Sequence, residues 1–404
     1  MTSNIVTESN HETSSSQTLA FDYIDNGRDL RLDFLRGMIM ILVIVNHIEY
    51  FSLLSMFAWE RIGLISSAEG FVSLSGIVLG IVYKKKLNKL GFRETTILLW
   101  KRAFQLYRAN VWVILSILLL GSIPLVNVYL ATHWVDPLST KAWPLFPKPG
   151  TGWKDVITQT LLLRIGPHQF QIIGFYTIVL GLAPIALFLF YRRLTVCVIL
   201  ISWIIYAFNA IYYLQITGAQ FERGFPLLTW QVLFFNGMAV GYHHQRVFNY
   251  LSGQKNKQLI YAAVIISVLC VILTLSNPKP VFWPWQLFSF FDNMGYAKLH
   301  SQWFDKTTLG IGRILNNLAL FIVMMSLLSN HWRFWNKVLG WLVIPIGQAS
   351  LYVFVLQVYI IIIISNTPLP NYNSFVINSL VHIASVLTIW YMIKKKFLFN
   401  LIPR

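Results

Sequence analysis

The sequence predicts an all-α protein, a polytopic transmembrane helical bundle of about ten spans with both termini cytoplasmic. Three observations predict it. The 404 residues are 56% hydrophobic and 12% charged, with a mean hydropathy of +0.59, too apolar and too poor in charge for a soluble chain of this length. Apolar runs long enough to cross a bilayer of about 30 Å recur along the chain. The connectors between them alternate between strongly basic and uncharged, the pattern of a chain threaded repeatedly through a membrane.

In chain order, residues 1–27 are polar and rich in Ser and Thr, without a basic stretch leading into an apolar one. They read as a disordered cytoplasmic tail and not as a cleaved signal peptide. Residues 28–404 form one transmembrane domain, with apolar runs at 36–56, 63–83, 104–126, 170–191, 195–215, 227–243, 259–276, 308–329, 340–365 and 374–393. The basic connectors are Lys84 to Arg102, Arg192-Arg193, Arg246 to Lys257, Arg333 with Lys337, and Lys394-Lys395-Lys396. The positive-inside bias puts all of these on the cytoplasmic side. The stretch 155–166 is short and amphipathic and is expected to lie at the outer interface. Cys197 and Cys270 sit in different apolar runs and carry no expected chemistry.

The net charge of +17 does not point to nucleic acid, because the basic residues gather at span ends, where membrane insertion accounts for them. The cluster from Lys84 to Lys101 also reads as a holder for the phosphates of an acyl donor. The two long outer connectors, 127–154 and 277–306, are aromatic instead, with Trp134, Trp143, Trp153, Trp283, Trp285 and Trp303. Exposed indoles pack against the apolar faces of sugar rings, though an interfacial aromatic belt has the same composition.

Chemistry concentrates in the first span. An imidazole inside an apolar run is expensive to bury without a partner and transfers protons near neutral pH, which makes His47 the leading candidate. Arg36 precedes it by eleven residues, which on a helix returns to the same face within about 20° and about 16 Å away. Arg31 and Arg36 also read as plain membrane anchors. The first two apolar runs suggest a hairpin centred on residues 57–59, which pairs His47 with Glu69 at equal depth and lets the carboxylate orient the imidazole, although Glu69 also reads as a partner for an arginine. Gly76 and Gly80 follow as a small-residue face for close packing, expected within that hairpin. His168, Gln169, Gln231, Arg313 and Gln357 are expected at the same outer-half level. A buried Arg313 calls for an anion or a developing oxyanion, or else snorkels to water.

These residues resemble a known family. The run Arg28-Asp29-Leu30-Arg31-Leu32-Asp33-Phe34-Leu35-Arg36-Gly37, the following His47, Ala68 to Val72 with Ser75-Gly76, Phe170 to Tyr176, Trp230-Gln231 and Gly347 to Phe354 are similar to the OpgC proteins. Those belong with acyltransferase-3 type membrane enzymes, whose shared mark of an Arg, ten residues and a His matches Arg36 and His47. The resemblance implies transfer of an acyl group, succinyl in the name-giving members, from a cytoplasmic thioester to a periplasmic or envelope glycan across a bacterial inner membrane. It implies acyl-CoA as co-substrate and no bound cofactor or metal. In that scheme His47 is the general base or a transient acyl carrier, Glu69 orients it, and Arg313 or the glutamines stabilise the oxyanion. Arg31, Asp33, Arg36, Gln231, Gln357, Trp283 and Trp285 are the expected substrate contacts. Acylation of lipopolysaccharide or another envelope acceptor would use the same core, and a transporter or flippase is the rival from a different class.

Overall fold

A computed structural model describes residues 23–25, 27–135, 141–148, 150–252, 257–278, 286–368 and 374–402. The described chain is overwhelmingly helical, and every apolar run of the sequence overlaps a helix, although the runs 36–56 and 63–83 extend into the loop between Ile48 and Ser67 that replaces the tight turn expected at 57–59. Helix α1, Leu30–Ile48, starts where Asp29 caps the backbone N–H of Arg31 at 3.0 Å, a side-chain acceptor for an otherwise unsatisfied helix donor. It ends at Glu49, whose left-handed φ of 58° turns the chain out of the helix. A loop through residues 49–66 leads to α2, Ser67–Gly121. Ser66 and Glu69 close a reciprocal capping box at its start.

Helix α2 contains two of the expected spans together with their basic connector. The connector is itself helical, and the break is confined to Gly91, whose φ of 77° no ordinary helical residue adopts. There follow α3, Gln171–Tyr191; α4, Thr195–Tyr212; α5, Leu227–Tyr242; α6, Lys257–Leu275; α7, Ile311–Asn330; α8, Trp341–Gln348; α9, Ser350–Ser365; and α10, Phe375–Lys394. Between α8 and α9 the chain bends by 90° at Ala349. The stretch expected at the interface forms the helix Trp153–Leu161, whose 9 residues are too few to cross a bilayer.

Among the described residues six helices are long and apolar enough to span a membrane, or seven if the bent pair ending in α9 counts as one span. Helix α1 is not among them, since its first two turns carry Arg31, Asp33 and Arg36, and α5 has only 16 residues. Exposure sorts the helices by position. Leu351 to Val358 of α9 are buried on every side, as a helix apolar all round must be when it runs through the centre. Helices α4 and α6 turn Ile204, Ile211 and Ile265 outward, the faces expected against lipid. The protein is an integral membrane protein.

Close helix crossings fix the frame around α1 and α2. Gly76 and Gly80 of α2 meet Gly237 and Gly241 of α5, where an added methyl on any of the four would overlap the facing backbone. The small-residue face expected to tighten the hairpin with α1 is therefore used against α5. Helix α1 makes its own close crossing with α8, where Gly37 abuts the Val343 carbonyl and Gly347 abuts the Asp33 carbonyl.

Candidate active site

The last turn of α1 and the loop after it build the site. Asn46 reaches across to α2, its Nδ2 donating to Ser67 Oγ at 3.2 Å, while its Oδ1 accepts from the Trp59 backbone N–H at 3.3 Å. The expected level matching between the first two helices thus exists, and Asn46 carries it. His47, next along the chain, turns into a cavity of ≈ 870 Å³ that the loop residues Glu49, Trp59 and Glu60 also line. His47 Nδ1 is buried without a hydrogen-bond partner, which costs about 1–3 kcal/mol for a polar group withdrawn from water. Gln357 of α9 abuts the ring, and its own Oε1 is likewise unsatisfied, whereas its Nε2 donates to the Gln169 carbonyl at 3.1 Å.

A second imidazole faces the first. His168, in the short turn His168–Phe170 before α3, meets His47 edge-on with ring centroids 6.1 Å apart. Its Nε2 lies 3.3 Å from Glu49 Oε1, so a carboxylate does orient an imidazole here. The pair is Glu49 with His168 in place of the expected Glu69 with His47. The backbone of Glu49 stands in the left-handed region that a non-glycine residue seldom occupies, a local cost that turns its side chain to the cavity.

Glu69 has other partners. Its Oε1 lies 2.5 Å from Nη2 and 2.6 Å from Nε of Arg313, and its Oε2 accepts from Ser66 Oγ at 2.5 Å and Ser66 N at 3.0 Å. Arg313 is completely enclosed and also donates from Nη1 to Glu60 Oε1 at 2.6 Å and to the Phe304 carbonyl at 2.9 Å. Two carboxylates match one guanidinium, so Arg313 meets its anion within the protein and is not held open for an oxyanion. The carboxylate of Glu60 touches Arg313 and, at 3.2 Å, His300. Burial pushes the Glu60 carboxyl up, and Arg313 with His300 outweighs this and holds it at about 2. Glu69, Arg313 and Glu60 form one buried bracket that ties α2, α7 and the loop together beside the cavity.

A second cavity of ≈ 320 Å³ lies further along α1, lined by Arg36, Lys86, Arg102 and Tyr176 among others. Arg36 Nε is buried there without a hydrogen-bond partner. One unbroken helix, Leu30–Ile48, therefore carries Arg36 in one chamber and His47 in the other, on the shared face that their spacing predicts.

Residues 28–397 match the family described as OpgC protein. The chain belongs to the OpgC family. Membership implies a membrane acyltransferase, and the match runs through both cavities and from α1 to α10. No curated protein and no solved structure matches the chain.

Within this OpgC protein the remaining sequence candidates separate. Arg31 is engaged locally, holding Asp29 at 2.7 Å and Ser329 at 2.7 Å while its guanidinium stacks 3.6 Å over Tyr23. Asp33 accepts from Arg28 at 2.8 Å and from Gln348 Nε2 at 3.2 Å. Neither lines either of these two cavities, and both fasten the start of α1 to its neighbours. Gln231 binds Ser202 through both ends of its carboxamide at 2.8 Å, joining α4 to α5 away from both chambers. Trp283 and Trp285 lie outside the described residues. Of the tryptophans expected in the outer connectors, Trp134 and Trp143 do line the larger cavity, as cross-strand partners on the hairpin His133–Val135 with Ala142–Pro144. Sequence reasoning missed Glu49, Glu60 and Lys306 as cavity residues. One signal was present, since three of only 15 acidic residues fall between 49 and 69, next to the candidate histidine.

Proposed function

We propose that the protein is an O-acyltransferase that moves an acyl group, succinyl or a close analogue, from acyl-CoA to a hydroxyl of an envelope glycan, with His47 as general base. The observation that carries this reading is the placement of Arg36 and His47 on one helix, each with an unsatisfied buried nitrogen turned to a different chamber. The Arg36 chamber is basic, with Lys86 and Arg102, and suits the phosphates of a CoA thioester. On this reading the basic end faces the cytoplasm, where such thioesters are made, and the His47 chamber opens toward the periplasm.

In the reaction, a sugar hydroxyl oxygen attacks the thioester carbonyl while His47 takes its proton. The tetrahedral intermediate then collapses, the carbon–sulfur bond breaks, and the imidazolium returns the proton to the departing thiolate. On this reading His168, beside His47 and held by Glu49, is the N–H donor to the oxyanion, the role first expected of Arg313 or the glutamines. Trp134 and Trp143 supply apolar faces for the acceptor's sugar rings at the cavity wall. No step calls for a metal.

The test is a radiolabelled acyl-CoA assay on the full chain in proteoliposomes with a glucan acceptor. Label is expected in the glucan with the parent protein and is expected to fall by about a hundredfold or more in His47→Ala, the usual scale for loss of a general base. Thioester that is never consumed, with glucan or any other envelope acceptor, would leave a transporter as the better reading. Mass spectrometry of envelope glycans from cells with and without the protein identifies the acceptor.

A further inference from the structure

The two chambers share one pair of rings. Phe71 of α2 and Phe354 of α9 line both the cavity that holds His47 and the cavity that holds Arg36. Their centroids are 5.1 Å apart at an interplanar angle of 64°, and both side chains are buried, 6% and 2% exposed. Tyr176 of α3 extends the contact, edge-on to Phe71 at 5.5 Å.

The helical register agrees from two directions. Along α2, Ala68 lines only the His47 chamber, Phe71 lines both, and Ser75 and Val82 line only the Arg36 chamber. Along α9 the order is reversed: Leu351 lines the Arg36 chamber, Phe354 lines both, and Gln357, one turn on, abuts His47. Two separate helices therefore change chamber at the same level, and the ring pair marks it.

A donor anchored at Arg36 has to present its acyl carbon at His47, about 16 Å further along α1, and the rings stand between the two chambers. Apolar rings in contact at a constriction exclude water and with it ions and protons. Phe side chains change rotamer without backbone movement, so such a contact can open and close. We propose that Phe71 and Phe354 form a movable aromatic partition that keeps the two chambers separate in the empty protein and parts around the thioester arm of the donor. The partition lets an acyl group cross while the bilayer stays sealed. The acyl-transfer reading supplies what passes through it, whereas the partition itself rests on the shared lining.

The experiment measures access and not activity. In full-length protein with Cys197→Ser and Cys270→Ser, Ser75→Cys places a thiol on the Arg36 side of the rings, and proteoliposomes are treated with a charged, membrane-impermeant methanethiosulfonate from either face. With both rings present, labelling is expected from the Arg36 side and to be slow from the His47 side. Phe71→Ala with Phe354→Ala is expected to raise the His47-side rate by roughly tenfold or more, because a closed state that opens only a small fraction of the time no longer limits it. Phe354→Leu alone is expected to give a smaller rise in the same direction, and it decides the question if the double variant no longer labels from the Arg36 side and so has lost its fold. Equal labelling from both faces with the rings in place overturns the partition, as does an unchanged His47-side rate in the folded ring variants. Acyl transfer by the same vesicles, with and without His47→Ala, is recorded in parallel, so a failure of the acyltransferase reading shows there and leaves the labelling result intact.

Discussion

A guanidinium enclosed by two carboxylates and a carbonyl has its charge matched before any substrate arrives, and this separates Arg313 and Glu69 from His47 in what their loss should do. Removing Arg313 leaves Glu69, which has no exposed surface, as a buried carboxylate without its partner. Stranding a buried charge in this way costs about 3–5 kcal/mol, so Arg313→Met is expected to lower the thermal midpoint of the detergent-solubilised protein sharply. His47→Ala is expected to leave that midpoint nearly unchanged while transfer is lost, because an imidazole nitrogen without a partner contributes little to holding the fold. If the two variants show the same profile, with stability intact and activity gone, Arg313 belongs to the chemistry after all. Glu60 adds a pH dependence. Its carboxyl sits lower in the folded protein, at about 2, than in an unfolded chain, at about 4.3, so its pairing with Arg313 stabilises fully above the unfolded value and is lost as pH falls toward the folded one. Glu60→Gln is expected to flatten the acid limb of thermal stability between about pH 5 and pH 2 relative to the parent. The sequence called for an anion at a buried Arg313 but could not single out Glu69 and Glu60 as the carboxylates that supply it. Arg36 and His47 share a helix, so counting along the chain places them, whereas Glu69 and Arg313 are 244 positions apart and only packing brings them together.

At the scale of elements, backbone approach sets what the helices tolerate. Gly241 of α5 lies so near Ile77 of α2 that a methyl there would occupy the position of its carbonyl, and the helix pair would have to separate along its whole contact. Gly241→Ala is expected to destabilise by at least about 1–3 kcal/mol, the usual cost of overfilling a packed interface, read as loss of monodisperse protein in detergent. Gly181 of α3 is the contrast, since nothing stands within 4 Å of a methyl added there. Gly181→Ala is expected to be neutral or mildly stabilising through helix propensity. Equal loss in both would remove the α2–α5 crossing as a determinant of the fold. The sequence showed the Gly76–Gly80 face but not its partner, because a small-residue pattern signals close approach without saying to what. The apolar runs located the helices for the same reason that length and hydropathy dominate in a membrane. They could not show that the basic connector is itself helical up to a break at Gly91, or that the run at 340–365 bends by 90° at Ala349, since each break depends on a single backbone position.

Across the whole molecule the site is a line and not a point. Arg36 lines the smaller, basic chamber, Phe71 and Phe354 line both, and His47, Trp134 and Trp143 line the larger. Each end should therefore answer to a different substrate. Arg36→Ala removes a buried cation from the basic chamber and is expected to raise the KM for acyl-CoA by about ten- to a hundredfold, the scale of one charge-assisted contact of roughly 1.5–3 kcal/mol, with little change in acceptor KM. Trp143→Ala takes an indole from the lining of the larger chamber and is expected to raise the acceptor KM several-fold, with donor hydrolysis in the absence of acceptor unchanged. Combining the two substitutions should add their free-energy effects, because the residues line different chambers and share no partner. A cross-over, in which Trp143→Ala weakens donor use or Arg36→Ala weakens acceptor use, would mean that both substrates occupy one chamber. Sidedness gives the same division a second reading: in oriented vesicles, acyl-CoA supplied at the Arg36 face is expected to support transfer and acyl-CoA supplied only at the His47 face is not, and activity from the His47 face would reverse the assignment of donor and acceptor along the line.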